Sequence, residues 1–198
     1  MFKKLGSLCL ILIVIIAGCT YGYYKLKRYL PSHPVQSTQA LNQQDIRKIR
    51  QYTPITEVHV YKAERRLHLL NGSNIIRSYE MRLGFNPIGH KVQEGDGKTP
   101  EGRYILDWRN AQSAFYKSLH ISYPNEQDKV IARQLGVSPG GDIMIHGSAK
   151  KAQVEVVPKL MKYMPTEDWT WGCIAVRNVD MDEIWQLIDD GTAIEIYP

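Results

Sequence analysis

From residue 57 onward, short runs of this chain alternate apolar and polar side chains, as in Glu57-Val58-His59-Val60-Tyr61 and Arg66-Leu67-His68-Leu69-Leu70. A period of two is the pattern of a strand with one buried face. Asn71-Gly72 follows the second run and precedes Ile75-Ile76-Arg77-Ser78-Tyr79, a tight-turn signal that predicts a hairpin. Further strands are predicted at 103–106, 120–122, 142–146, 173–176 and 193–197. Helices are predicted at 125–135, at 150–164 with a break near Pro158, and at 180–190, closed by Gly191. A short polar helix at 42–52 is ended by Pro54. Strands fill the first half and helices enter later, so the pattern predicts a mainly β domain with peripheral helices, of α+β class, over residues 53–198.

The start of the chain follows neither period. Lys3-Lys4 is followed by an apolar run that reaches Cys19, which marks residues 1–24 as a targeting element outside the fold. Two outcomes fit it. Ile16-Ala17-Gly18-Cys19 resembles a lipobox, which would leave a lipidated Cys19 as the mature N-terminus; alternatively the run stays uncleaved and spans a bilayer, for which about 20 mostly apolar residues suffice. Basic residues on both sides of the run, Lys25, Lys27 and Arg28 among them, leave its orientation open. Either outcome tethers the rest outside the cytoplasm. Residues 25–52 then read as a tether, rich in Pro, Ser, Thr and Gln at 31–40, ending in the short helix.

Charge sharpens this division. The chain carries 25 Lys and Arg against 20 Asp and Glu, yet the excess lies before Asp45, the first acid, so the body is formally neutral. That excludes the basic footprint of a nucleic-acid partner. A membrane is expected to be met only through the N-terminal segment.

Cys9 and Cys19 belong to that segment, so Cys173 is the body's only cysteine. An unpaired thiol outside the cytoplasm points to chemistry, although a free cysteine also packs well as a small apolar residue. A thiol is mostly protonated near neutrality and needs a base. His146, closing the apolar run Ile143-Met144-Ile145 and followed by Gly147, is the candidate, since imidazole can take the thiol proton and return it to a leaving amine. Gly172 directly before Cys173 permits a tight turn, and the N–H groups of Trp171, Gly172 and Cys173 are candidates for facing an oxyanion.

Lys98-Thr99-Pro100-Glu101-Gly102-Arg103-Tyr104, Ile145-His146-Gly147-Ser148 and Thr170-Trp171-Gly172-Cys173-Ile174, with Asn178 beyond, together resemble the L,D-transpeptidase (YkuD-type) catalytic domain of bacterial cell-wall enzymes. The likeness covers nearly all of residues 57–198. It implies a β-sandwich-like fold, no metal or organic cofactor, peptidoglycan stem peptides as substrate and a place on the periplasmic side of the envelope. It further implies Cys173 as the acylated nucleophile, His146 as proton acceptor and donor, and Ser148, Thr170 and Asn178 as polar groups lining or supporting the site. The acyl group is expected to pass to an amine. Hydrolysis within the same family, trimming stems or releasing an attached envelope lipoprotein, and a catalytically silent wall-binding module are the alternatives.

The chain departs from the family pattern in three places. Trp171 stands where the motif usually has histidine, Ala175 stands where an arginine often follows the cysteine, and the stretch from His146 to Cys173 is longer than in compact members. An extended segment would put Arg177 on the face of Ala175 and Cys173 and supply the missing charge; exposure to solvent is the alternative. The added stretch after Ser148 is expected to cap the groove, and Trp169 and Trp171 are expected either to wall a cleft or to complete the core. Residues 84–102, rich in glycine, lack the Gly-Lys-Ser/Thr helix opening of a phosphate cradle and read as a mobile loop. His33, His59, His68 and His90 form no cluster of metal-ligand spacing.

Overall fold

The computed structural model describes residues 40–198 together with 18, 20 and 21, so the leader, the Cys19 lipobox and most of the tether lie outside the described residues. No helix among the described residues is long and apolar enough to cross a membrane. In chain order the elements are α1 (Gln43–Tyr52), β1 (Glu57–Tyr61), β2 (Arg66–Asn71), β3 (Asn74–Glu80), β4 (Gly102–Asn110), β5 (Ser118–Ile121), α2 (Glu126–Leu135), β6 (Met144–Gly147), α3 (Lys151–Val156), a 3-10 turn (Pro158–Lys162), β7 (Ile174–Val176), α4 (Asn178–Leu187) and β8 (Thr192–Tyr197).

The strands form one sheet in the order β3-β2-β1-β8-β4-β5-β6-β7. The β1–β8 and β6–β7 pairs are parallel and the others antiparallel. The two ends of that order then meet. Arg82, just past β3, and Ala175 in β7 exchange both backbone hydrogen bonds at 2.8 Å, so the sheet wraps around and neither β3 nor β7 leads to a fully open edge. Val58, Val60, Leu67, Leu69, Ile145, Ile174, Ile194 and Ile196 fill the core inside this wrap, as the alternation requires. The result is the mainly β, mixed α+β single domain expected from the sequence.

The helices follow local signals with two informative shifts. Asn42 with Asp45, and Asn125 with Asp128, make reciprocal capping boxes for α1 and α2, and Gly136, at φ 69°, closes α2 in the left-handed conformation. Helix α1, expected within the tether, packs on the domain: Ile46 is buried, Leu41 N–H donates to Glu183 and Arg50 pairs with Asp189. Helix α4 begins and ends earlier than its pattern predicts. Arg177 serves as its N-cap residue and pairs with Asp180 in its first turn, while Gly191, at φ 93°, donates its N–H to Leu106 and turns the chain into β8. Met181, Ile184 and Leu187 seat α4 in the core.

The glycine-rich segment 84–102, expected to be mobile, is held throughout its length. Lys91, buried, bonds Asp96 and the Gln93 carbonyl, while Asp96 accepts the N–H groups of Val92, Gln93 and Lys98. Lys62 anchors the far end through the carbonyls of Gly89 and Thr99 and the Glu101 carboxylate. Charge-assisted bonds from buried lysines do here what regular secondary structure does elsewhere.

Candidate active site

Strands β6 and β7 lie side by side with Ile145 opposite Ile174 and His146 opposite Ala175. That register sets Met144 opposite Cys173, so the His146 and Cys173 side chains leave the same face of the sheet two positions apart. Ile145 and Ile174 point the other way and are fully buried. Cys173 falls just before β7, because Gly172 takes φ +128°. A Cβ there would stand 2.6 Å from the Lys98 carbonyl oxygen, so both conformation and space demand glycine. On the other side, a Cβ on Gly84 would collide with the Gly97 carbonyl and stand 3.0 Å from Gly172 N. Gly84 and Gly172, from two separated segments, thus let backbone press on backbone beneath Cys173.

The thiol is held by main chain. Met144 N–H donates to Sγ at 3.4 Å and Sγ–H points to the Asp142 carbonyl at 3.6 Å; Asp142 itself sits at φ 53°, which is why β6 starts later than predicted. His146 Nδ1 bonds the Gly147 carbonyl at 2.7 Å. A carbonyl only accepts, so Nδ1 carries the proton and Nε2 keeps the lone pair. Burial presses His146 down to about 4 against the opposing pull of the Gly147 bond, and burial pushes the Cys173 thiol up. The resting pair at neutral pH is therefore thiol and neutral imidazole, and no hydrogen bond among the described residues joins them directly.

The remaining residues singled out from the sequence take differing places. Gly147 N–H donates to the Phe115 carbonyl, and a Cβ on Gly147 would strike the Asn178 side chain. Asn178, fully buried, clamps the next segment by accepting from Ala149 N–H and donating to the Ala149 carbonyl. The Ser148 hydroxyl donates to the Tyr163 carbonyl. Thr170 accepts from Gly172 N–H at 3.2 Å and donates to the Cys173 carbonyl at 2.6 Å, so it braces the nucleophile turn and engages one of the three N–H groups expected at an oxyanion. Arg177 is neither exposed nor turned to the thiol. β7 stops at Val176, and the Arg177 guanidinium makes two 2.6 Å bonds to Asp180.

Trp169 and Trp171 part company. Trp171 is 69% exposed and meets Phe85 edge-on at 4.8 Å, forming an aromatic rim beside the thiol. Trp169 packs on His146 at 5.7 Å, and Phe115 covers the same imidazole at 5.0 Å. Both also wall a cavity of about 510 Å³, closed on its far side by the stretch that runs from Ala149 through α3 and the 3-10 turn to Pro165. The stretch after Ser148, expected to cap the groove, forms this wall. Phe115 had no sequence signal, lying in the polar loop between β4 and β5; Asp142, Met144 and Lys98 act through main chain, which no side-chain pattern reveals. Among the described residues no group of three or more His, Cys, Asp or Glu side chains is placed to hold a metal ion.

The protein is thus a wrapped, mainly β domain that sets a cysteine and a neutral histidine on one face of adjacent strands. The L,D-transpeptidase catalytic domain, YkuD, matches residues 55–196, and the chain belongs to that family. It is 25% identical over 154 residues to the "Putative L,D-transpeptidase YafK" of Escherichia coli, covering 71% of this chain and 53% of that protein, so the chain spans about half the length of the curated relative it matches. Among solved structures it is similar to the helical cell shape determining protein Pgp2 from Campylobacter jejuni, with a TM-score of 0.55, 24% identity, and 72% of this chain and 47% of that chain covered. A lysine-to-alanine mutant of Pgp2 gives the same TM-score at 26% identity, over 73% of this chain and 48% of that chain.

Proposed function

We propose that the protein is a cell-envelope cysteine acyl transferase acting on peptidoglycan stem peptides, tethered on the periplasmic side by its N-terminal segment. Cys173 Sγ attacks the carbonyl at the L-centre of diaminopimelate and its proton passes to His146 Nε2. The C–N bond breaks, the same proton leaves on the amine of the terminal D-amino acid, and a thioester remains on Cys173. An amine then takes the acyl group and returns the thiol. The observation that carries this reading is the pairing of an unpaired, main-chain-held thiol with an imidazole whose Nε2 is free of a proton, on one face of β6 and β7. No metal or organic cofactor enters these steps. The likeness to a cell-shape determinant supports a role in shaping the wall.

Transfer to water is the second reading, trimming stems or releasing an attached lipoprotein. The cavity beside His146 supports it, since its volume leaves space for water once the amine has departed. The full chain incubated with purified peptidoglycan fragments, beside a Cys173→Ala control, separates the readings by mass spectrometry. New cross-links or exchanged termini, together with a transient thioester adduct on the protein, are expected. Shortened stems alone would favour hydrolysis, and no Cys173-dependent product would leave a silent wall-binding module.

A further inference from the structure

The outward face of the sheet carries a feature that the thiol step does not use. β4 and β5 pair Leu106 with Ile121 and Arg109 with Leu119, so Asp107 and Trp108 together face the single residue His120. A bulge of this kind re-aims side chains, and here both turn to the imidazole. His120 Nδ1 donates to Asp107 Oδ1 at 2.6 Å, and the Trp108 ring lies flat on the imidazole with 4.7 Å between centres and 15° between planes. His120 thus holds both residues in place while Trp108 stays 42% exposed. An indole face with a carboxylate fixed at its edge suits a ligand that is apolar on one face and hydroxylated at its rim, which describes a pyranose ring.

Register puts this platform in line with the nucleophile. His120 stands opposite Met144, and Met144 stands opposite Cys173, while Leu119, Ile121, Ile145 and Ile174 point into the core. Opposite residues share a face, so Cys173, Met144, His120 and the bulge occupy β7, β6, β5 and β4 in turn along one rung. Three strand-to-strand steps make that span about 14 Å. A stem attacked at diaminopimelate reaches back to its sugar through two further residues. Three extended residues cover about 10 to 11 Å, and the group that links the stem to the sugar carries the ring over the remainder. The rim of Trp171 and Phe85 cannot take this part, because Trp171 is only two positions from Cys173.

We propose that the Asp107–Trp108 bulge is a sugar subsite, in which the indole stacks on the N-acetylated hexose that carries the donor stem and the Asp107 carboxylate accepts from its hydroxyls. This rests on the acyl-transfer reading for the position of the stem. It directs the enzyme to stems still carried by the glycan and away from free peptides of the same sequence.

The test uses the full chain carrying Cys173→Ala and two probes, a stem tetrapeptide bearing its N-acetylmuramyl sugar and the same peptide capped by a plain acetyl group, with binding followed by calorimetry. The acetyl cap removes the terminal ammonium, so attraction of a cation to Asp107 and Trp108 does not enter. The sugar-bearing probe is expected to bind about tenfold more tightly, the scale of one aromatic stacking contact. Trp108→Ala in the same background should remove that ratio and Trp108→Tyr should keep most of it. A third probe, with one glycine inserted between sugar and stem, should lose the advantage because the ring then overshoots the bulge. Equal or undetectable binding of the first two probes overturns the proposal without any Trp108 variant, and a sugar preference surviving Trp108→Ala overturns the assignment to the bulge. An advantage kept by the glycine-lengthened probe overturns the alignment with Cys173. Turnover by the unsubstituted chain is measured separately. A sugar preference without Cys173-dependent turnover would sink the acyl-transfer reading and leave the sugar subsite standing.

Discussion

Lowering the pH from 8 to 4.5 drives a proton onto an imidazole that the fold keeps from water. His146 is 6% exposed, and its ring lies between Phe115 and Trp169. Its ordinary value of 6.5 falls to about 4 in the folded protein, so the unfolded chain binds this proton more tightly than the folded one. Stability from this group is therefore whole above about 6.5 and is lost as pH falls through the window down to about 4. At pH 4.5 the unfolded imidazole is almost fully protonated and the folded one only partly, which amounts to a loss of about 2 to 3 kcal/mol from this single residue. Guanidinium unfolding at several pH values, on the full chain and on His146→Gln, isolates the contribution, because the two chains differ at this one residue. The unsubstituted protein should lose about 2 to 3 kcal/mol more than the variant between pH 8 and 4.5. Parallel curves would refute the assignment of a dry, neutral His146. The same depression moves the acid limb of kcat/KM toward pH 4, so activity at pH 5.5 should be nearly complete where an ordinary imidazole would retain about a tenth of its base form.

Two further changes test the scaffold around the pair. Gly172→Ala puts a methyl 2.6 Å from the Lys98 carbonyl at a backbone angle that L side chains avoid, so a stability loss of about 1 to 3 kcal/mol and a fall in thioester formation larger than that in substrate binding are expected, read by denaturant melts and intact-protein mass. Arg177→Met leaves the buried Asp180 carboxylate without its two 2.6 Å partners and should cost about 3 to 5 kcal/mol. Arg177→Met with Asp180→Leu should recover much of that, and a KM change surviving in the double variant would instead place Arg177 at the substrate.

β1 and β2 were legible because they alternate buried and less buried positions, and the Cys173 motif stood out because the domain has one cysteine. What escaped was everything decided at a distance. Segment 84–102 read as mobile because its order depends on Lys62 and Lys91, whose acid and carbonyl partners are fixed only by folding. Arg177 read as an extended residue sharing a face with the thiol because nothing in Ile174-Ala175-Val176 announces that β7 is three residues long. Its pairing with Asp180, three positions on, was the available local signal. The meeting of Arg82 with Ala175 left no local trace at all.

That meeting decides when Cys173 takes up its place in the fold. The strand leading from Cys173 is paired on one side by β6 and on the other by Arg82, just past β3, so it is secured only when the early and late parts of the domain have come together. Contacts this remote in sequence form slowly and as part of the whole. A chain still emerging or still unfolded carries Cys173 without the turn at Gly172 or the Met144 N–H that fixes its sulfur, and completion of the wrap is the step that sets the thiol and the His146 imidazole on one face.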